Sequence, residues 1–423
     1  MTTERIELRP GVWLNTVQTD RFKTGCFSFN LLRPLETETA APNALLPSVL
    51  LRGCREFPTM QAISQRLDTL YGASAGTLVR KKGEVQTVGL YADFLEDRYA
   101  ENEPVFDQMI AFLYGLLYEP LKQETGFVSD FVSGEKLNLV NTMDSRINDK
   151  RSYAVSRLLK HMCAGEAYAV PRLGEKESLE PYSPQKLYEQ WQELLRTSSV
   201  ELFYLGQQPQ TAVLEAMERL TSGLPERKTP VPVGTKVVLP QRPVQFVEEV
   251  MDVTQGKLTI GLRTPITTLD ARYPAMMLLN AVFGAGMTSK LFLKIREEQS
   301  LCYYANSTVD KFKGLMVVGS GIEFDQYEVA RDGILRQLEL CKQGDITVEE
   351  LESARSYLIS ALRTGNDSPG RLDDFAIGQS IAGRSGTMED LGQRLRAVTM
   401  DQVVEAANSL TLDTVYFLKG VEA

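Results

Sequence analysis

The sequence predicts an α+β protein made of two homologous halves, each an antiparallel β-sheet with helices packed on one face. Three observations predict it. The chain has 423 residues, more than one ordinary core accommodates. Its apolar residues switch repeatedly between period two and helical spacing. Two segments also end alike: an amphipathic helix capped by Ser183, and another capped by Thr399, each feed an apolar strand that stops at a glycine, Gly206 and Gly420. The stretch between the halves, Thr221 to Val244, is rich in Pro, Lys and Arg and reads as an exposed connector. The expected division is residues 1–220, a connector over 221–243, and residues 244–423.

In the first half, Trp13 to Gln18 and Phe22 to Leu32 alternate as strands do. Met60 to Tyr71 has helical spacing, with Ile63, Leu67, Leu70 and Tyr71 on one face and Gly72 as a stop. Strands follow around 76–80 and 84–94, with Lys81-Lys82-Gly83 as the hairpin turn between them. From Val105 a helix presents Phe106, Met109, Ile110, Leu113 and Leu117, and further helices fit 127–143 and 151–163. Ser183-Pro184 is a strong helix start, because Ser can accept orphan N–H groups and Pro suits the first helical position.

The second half repeats the order. Strands fit 244–253 and 257–262, a helix fits 273–283, and strands fit 303–309 and 315–322. A helix with Val329, Ile334, Leu338 and Cys341 follows. Thr347 with Glu350, and Thr399 with Gln402, have the spacing of reciprocal helix caps. Gly284-Ala285-Gly286 lacks a following lysine at phosphate-loop spacing and reads as a helix-to-helix turn.

Composition excludes several classes. A formal net charge of −9, with no basic run longer than Arg80-Lys81-Lys82, argues against nucleic acid as a partner. No apolar stretch is long enough to span a bilayer, so no membrane role is expected. The N-terminus lacks the pattern of a signal peptide, and five scattered cysteines form no C-x-x-C, which fits reduced thiols in the cytoplasm. Cys54, flanked by Arg52 and Arg55, is a weak candidate for a lowered thiol pKa. Asp93, Glu96 and Asp97 form an acidic patch that reads as a solvated face rather than a cation site.

The segment from Leu279 to Tyr303 is the most specific in the chain. It contains Gly284-Ala285-Gly286, then Ser289-Lys290-Leu291-Phe292, then Arg296-Glu297-Glu298-Gln299-Ser300-Leu301-Cys302-Tyr303. This resembles the second half of the pitrilysin/insulinase family of zinc metallopeptidases, which includes the mitochondrial processing peptidases and bacterial members. Weaker likeness extends over nearly the whole chain, through Asp68 to Ala73, the Glu135-Lys136 helix and both terminal strands. The family carries His-x-x-Glu-His on a helix of its first half and a third ligand, glutamate, on a later helix. That chemistry needs two neutral imidazoles on one helix face and a base between them.

With Arg52-Gly53 aligned to the Lys-Gly that follows the motif, the ligand and base positions fall on Ala44, Pro47 and Ser48, and the third ligand falls near Thr142. None can serve. The chain moreover has a single histidine, His161, so two histidine ligands cannot be found wherever the motif is placed. His161 itself, at Leu159-Lys160-His161, reads as an ordinary helix histidine. No cofactor is therefore expected on this chain, with zinc only in a partner subunit.

In active relatives an arginine and a tyrosine of the second half reach the substrate carbonyl and the oxyanion. The resemblance carries those roles to Arg296 and Tyr303, with Tyr304 on the opposite strand face as the lesser candidate. The plainer alternatives are a solvated helix charge and a half-buried strand aromatic. The resemblance implies a catalytically incomplete homologue that is no enzyme on its own. It would act as the Arg/Tyr-contributing subunit beside a homologous zinc-motif-bearing subunit, with peptide or unfolded polypeptide as substrate. The alternatives are a structural scaffold or a peptide-binding protein without catalytic role.

Overall fold

The computed structural model describes residues 2–420. The first part of the chain runs β1 (Thr2–Arg9), β2 (Val12–Gln18), β3 (Thr24–Pro34), α1 (Thr37–Leu50), α2 (Met60–Thr69), β4 (Ser74–Lys82), β5 (Val85–Leu95) and α3 (Val105–Tyr118). It continues through the short β6 (Lys122–Gln123) and β7 (Gly126–Phe127), then α4 (Ser129–Ser145), α5 (Lys150–Met162), α6 (Pro184–Thr197), β8 (Ser199–Gly206) and α7 (Gln210–Ser222). After the connector come β9 (Gln245–Val250), β10 (Gly256–Arg263), α8 (Tyr273–Phe283), a π-helical segment (Leu291–Glu298), β11 (Cys302–Asp310) and β12 (Leu315–Ile322). Five helices and a strand complete it: α9 (Tyr327–Lys342), α10 (Val348–Gly365), α11 (Pro369–Ile381), α12 (Met388–Arg396), α13 (Met400–Asn408) and β13 (Thr411–Lys419).

Two sheets result, in the orders β1-β2-β8-β3-β5-β4 and β11-β12-β10-β13-β9. Read from β2 and from β9, the five-strand orders are the same, and so are the pairing directions. β2 pairs with β8, and β9 with β13, in parallel, while every other neighbour is antiparallel. The sheets are antiparallel, as the sequence suggested, apart from this one pair in each half. The parallel step arises because the long helical stretch before β8 and before β13 returns the chain to the same end of the sheet.

The compact units do not follow the sequence halves throughout. Ser145–Ala169, which contains α5, belongs to the second unit with Thr235–Ser368 and the chain from Arg384 onward. Pro369–Gly383, which contains α11, belongs to the first unit with Val170–Gly234 and the chain up to Asp144. The halves have exchanged one helix each, and the exchanged helix covers the second face of each sheet. Each sheet thus has its own half's helices on one face, as the sequence suggested, and the exchanged helix on the other.

Strand alternation explains how two faces are covered at once. In the second unit, Val415 and Phe417 of β13 join the core built by α8, α9 and α13, whereas Tyr416 and Leu418 point to Ala154 and Leu158 of α5. Gly261 of β10 lets α5 come close, since a Cβ there would lie 2.5 Å from Met162 Sδ. Polar anchors hold both ends of α5. Glu249 accepts from Tyr153 Oη at 2.6 Å, Arg157 Nε at 2.8 Å and Tyr416 Oη at 2.9 Å. At the other end Arg263, 1% exposed, bonds Asp413 at 2.8 Å, Glu166 at 2.7 Å and the Met162 carbonyl at 2.5 Å. The Lys313 ammonium lies 2.6 Å from Glu166, and Arg242 lies 3.0 Å from Asp413.

The first unit does the same with a polar face. Phe27, Phe29 and Leu31 of β3 point into the main core, while Ser28 and Asn30 point the other way. There α11 presents Asp373, 2% exposed, which accepts from Ser28 Oγ at 2.7 Å and from Arg80. Lys82 pairs with Asp374 at 2.7 Å, and Arg5 donates to Ser380 Oγ at 3.1 Å and to Glu201 at 2.6 Å. The helix cap expected at Ser183 and both Thr-based caps are present. Val329 and Tyr71, assigned to apolar helix faces, are instead 54% and 44% exposed, Tyr71 because it lies past the end of α2 at φ 58°.

The carboxyls of Glu166 and Asp413 are both held below the ordinary carboxylate range. Burial pushes each upward, but hydrogen bonds outweigh it, from Arg263 and Lys313 for Glu166 and from Thr414, Arg263 and Arg242 for Asp413. Carboxyls depressed in this way stabilise the fold above about pH 4 and lose that contribution as pH falls. Arg263→Met should cost about 3 kcal/mol in urea unfolding, because it takes a buried cation from two carboxylates and leaves Glu166 with Lys313 and Asp413 with Arg242, and it should make the acid-side loss of stability shallower. An unchanged unfolding midpoint would mean that α5 is held by its apolar face alone.

Candidate functional site

The positions expected for a metal motif lie on α1 and α4. Ala44 is buried at 4% exposure, Pro47 is buried, and Ser48 is half-buried. Pro47 removes a backbone N–H from the helix interior as well as any carboxyl from the base position. Thr142 is exposed on α4, and its hydroxyl donates to the Asn138 carbonyl one turn earlier at 2.8 Å. The structure does bring the two helices together. Arg52, just beyond α1, pairs with Glu135 of α4 at 3.2 Å and lies over the Phe131 ring at 5.4 Å. Glu135 and Thr142 are seven residues apart and so share one face of α4. A methyl, a proline ring and two neutral hydroxyls at these positions do not fit a zinc ion, which takes imidazole, thiolate or carboxylate. Among the described residues no group of three or more His, Cys, Asp or Glu is placed to hold a metal.

The surroundings of α1 are a feature that sequence reasoning missed. Asn43 and Gln86 are fully buried and form a chain of amides: Gln190 donates to Asn43 at 2.8 Å, Asn43 to Gln86 at 3.3 Å, and Gln86 to the Ala40 carbonyl at 2.8 Å and the Arg172 carbonyl at 2.9 Å. Gly174, at φ +72°, passes so close that a Cβ would sit 2.3 Å from the Ala41 nitrogen. The segment around 172–174 is thereby tied onto α1 one turn before Ala44. Lys136 of α4 reinforces it by donating to the Leu179 and Tyr182 carbonyls at 3.0 Å and 2.5 Å. A small pocket of about 310 Å³ remains between α4 and this segment, lined by Lys136, Val140, Lys176, Glu177, Leu179 and Glu180. Gln86 and Asn43 lie in strand and helix stretches where nothing local marks an amide as buried, so only the fold reveals them.

Arg296 and Tyr303 lie in the second unit. Leu301 N–H closes on the Ile295 carbonyl at 3.1 Å, with Ser300 in the left-handed region at φ 52°, so the π-helical segment turns directly into β11. Arg296 is about two-fifths exposed. Its guanidinium lies 4.7 Å from the Phe292 ring centre, and its Nε is 3.6 Å from Glu297. Its charge also reaches Cys302, the residue before Tyr303, whose thiol is pushed up by burial and drawn partly back by Ser320 and Arg296. Tyr303 is the extra residue of a β-bulge, since Cys302 faces Ile322 while Tyr304 faces Gly321. The bulge turns its side chain out to 65% exposure, where its hydroxyl donates to Glu323 at 3.0 Å.

Tyr304 is the more enclosed of the two tyrosines. Its ring packs on Gly321 and under the Arg151 guanidinium, 4.3 Å away, and its buried hydroxyl has no hydrogen-bond partner. Burial pushes that hydroxyl up to about 12, against the opposing pull of Arg151. Arg151 comes from the exchanged helix α5 and also donates to Asn306 at 2.6 Å, a pairing that sequence distance hides.

The remaining candidates resolve as structure. His161 lies on α5 with its ring nearly parallel to that of Tyr416, centroids 6.4 Å apart, and burial lowers its pKa. All five cysteines are buried and outside any disulfide. The Cys54 thiol is pushed up by burial, which corrects the suggestion that its arginine neighbours depress it. The acidic patch is no solvated face: Glu96 is 1% exposed, accepts from the Gln207 N–H at 3.0 Å, and is pushed by burial up to about 7. It lies at a pocket of about 620 Å³ with Asp20, Asp97 and Arg98. Asp97 caps α3 by accepting from the Phe106 N–H at 3.0 Å. Among the described residues no helix is long and apolar enough to cross a membrane.

Comparison with known proteins bears on the missing metal motif. Residues 181–358 match the family described as the peptidase M16 inactive domain. The "probable inactive metalloprotease YmfF" of Bacillus subtilis is 32% identical over 413 residues, covering 97% of this chain and 96% of that one. The "uncharacterized zinc protease YmxG" of the same organism is 24% identical over 162 residues, only 38% of this chain and 39% of its own. A conserved protein from Enterococcus faecalis V583, solved by crystallography, has a TM-score of 0.90 at 27% identity over 99% of both chains. The structure titled peptidase M16 inactive domain from Pseudomonas fluorescens shares the fold, with a TM-score of 0.80 at 15% identity over 100% of this chain and 99% of that one. A relative named as a probable inactive metalloprotease matches nearly the whole chain at 32% identity, and the chain belongs to the M16 (pitrilysin/insulinase) peptidase family, as an inactive-type homologue.

Proposed function

We propose that this protein is the Arg/Tyr-contributing subunit of a two-subunit peptidase, whose metal and general base come from a homologous zinc-motif-bearing partner and whose substrate is peptide or unfolded polypeptide. One observation carries the reading. The second unit presents a guanidinium and a phenol, Arg296 and Tyr303, on the solvent side of a bulged turn, while the first unit has lost all ligand chemistry at Ala44, Pro47, Ser48 and Thr142. Donors of this kind can stabilise an oxyanion without touching a metal. Support also comes from Bacillus subtilis, in which a relative named as inactive and one named as a zinc protease occur together. A cytoplasmic location belongs to the same proposal and is supported by five buried cysteines, none in a disulfide.

A second reading has its own observation. The Tyr303 hydroxyl already donates to Glu323, and this hydrogen bond, with the nearby charge, raises its pKa. A phenol engaged in that way suits a scaffold or a peptide-binding protein as well as a site that opens on substrate.

Purified alone, the protein should contain less than stoichiometric zinc by elemental analysis and cleave no peptide; one tightly bound zinc per chain would sink the proposal. Mixed with the zinc-motif homologue of its own organism, it should form a complex that cleaves unfolded polypeptide. In that complex Arg296→Ala and Tyr303→Phe should each lower turnover by roughly 10²-fold while leaving complex formation intact. Turnover unchanged by either substitution would favour the scaffold.

A further inference from the structure

The duplicated sheets differ at one edge. In the first unit β1 lies outside β2, antiparallel to it, and closes that side of the sheet. In the second unit β9 takes the place of β2, and among the described residues no strand lies outside it. The Met251 N–H donates to the Lys419 carbonyl at 3.0 Å. Alternation along the strand therefore turns the backbone groups of Gln245, Val247 and Glu249 toward β13. Those of Phe246, Glu248 and Val250 point the other way, as a row of N–H and C=O groups along the outer edge.

The side chains beside that row are also uncovered. Leu14 lies opposite Leu202 of β8, and Phe246 lies opposite Val415 of β13, where Leu202 and Val415 each face the main core of their unit. Leu14 and Phe246 thus hold equivalent places. Leu14 is fully buried, with Ile6 of β1 opposite and Leu8 packed nearby, whereas Phe246 is 61% exposed and Val250, on the same face, 56%. Thr16, the next residue along that face in the first unit, is buried with β1 alongside; its counterpart Glu248 is exposed and pairs with Lys419 at 2.8 Å. The other carboxylate of the strand, Glu249, is taken by Tyr153 and Arg157 of α5. An edge strand with apolar side chains and unpaired backbone groups is a template for an added strand. A second copy of β9 fits poorly, because full antiparallel overlap sets Glu248 against Glu248, and like charges directly opposite are destabilising. A strand with a cation at that position and apolar residues on either side fits well.

We propose that the outer edge of β9 binds an extended segment of a partner polypeptide, which adds antiparallel as the outermost strand, with a lysine or arginine opposite Glu248 and apolar residues opposite Phe246 and Val250. Main-chain hydrogen bonds give the affinity, and the alternating side chains select the partner. The added strand repeats what β1 does for β2 in the first unit. This edge stands at the far end of the sheet from β11, which carries Tyr303, so it does not depend on the pairing of Arg296 and Tyr303 with a zinc-bearing subunit.

The test uses the full chain and a synthetic peptide of about ten residues, blocked at both ends and centred on Val-Thr-Lys-Thr-Val. Fluorescence polarisation should show saturable binding, and hydrogen exchange should slow at the amides of Phe246, Glu248 and Val250 but not along β11. Glutamate in place of the peptide's lysine should weaken binding roughly fivefold. Phe246→Ser, at an exposed position, should weaken binding by a similar factor with an unchanged melting temperature, and Glu248→Lys should reverse the preference between the two peptides. Absence of saturable binding by the wild type would overturn the proposal, as would protection away from β9 or equal binding of the two peptides. Concentration-dependent self-association that protects β9 without peptide would assign the edge to a second copy and overturn it too. The exchange and peptide-charge measurements use the wild type, so the decision does not depend on either variant folding.

Discussion

The fold depends on burying full charges where a helix from one sequence half must sit on the sheet of the other. Arg263 is the centre of this arrangement. It lies almost entirely out of water, and its guanidinium is shared between Asp413 on the neighbouring strand, Glu166 just past α5 and the last carbonyl of α5 itself. A buried ion pair often contributes little net stability against an apolar replacement, but it is strongly selective about its partners. That selectivity is what an exchanged helix needs. The apolar contact of Ala154 and Leu158 with Tyr416 and Leu418 would tolerate sliding, whereas the charges at each end of α5 fix where it stops.

The first unit uses the same device with a different composition. Its second face is polar, with Asn15, Ser28, Asn30 and Glu201 buried on it, and α11 meets that face with Asp373 and Ser380 rather than with an apolar stripe alone. The second face of the first sheet is therefore organised largely by hydrogen bonds, whereas that of the second is apolar with charged anchors at its ends. With Gln86, Asn43 and Gln190 bonded to one another and the segment around Gly174 drawn onto α1, Ala44 and Pro47 lie in ordinary interior.

Much of this was legible in the sequence, and the boundary of legibility has a physical cause. Strands with clean alternation, helices with a strong apolar stripe and the side-chain caps at Ser183, Thr347 and Thr399 were found nearly to the residue, because each is decided by neighbours in the chain. The family segment from Leu279 to Tyr303 was legible for the same reason. The parallel strand pairs, the covering of both sheet faces and the exchange of α5 and α11 were not, since those follow from which distant surfaces match. The site divides likewise. The loss of ligands at Ala44, Pro47 and Ser48 could be counted, but the bulge that turns Tyr303 outward and the placement of Arg151 over Tyr304 belong to tertiary geometry. Glu96 misled for a related reason: three acids close in sequence look solvated until a sheet end closes over one of them.

The exchange of helices also governs how the chain comes into being. A ribosome delivers the first sheet complete with β8 long before it delivers Pro369–Ile381, so the polar face around Ser28 and Asn30 stays uncovered while the intervening chain is made. α5, in turn, emerges early and has no sheet to rest on until β10 and β13 exist. Domains that fold as they are synthesised normally finish in order, but here neither unit can finish before the chain beyond Pro369 has been made. A gene split at the connector would encode two fragments, each carrying a helix that belongs to the other. Cutting there would therefore part each sheet from the helix that covers its second face.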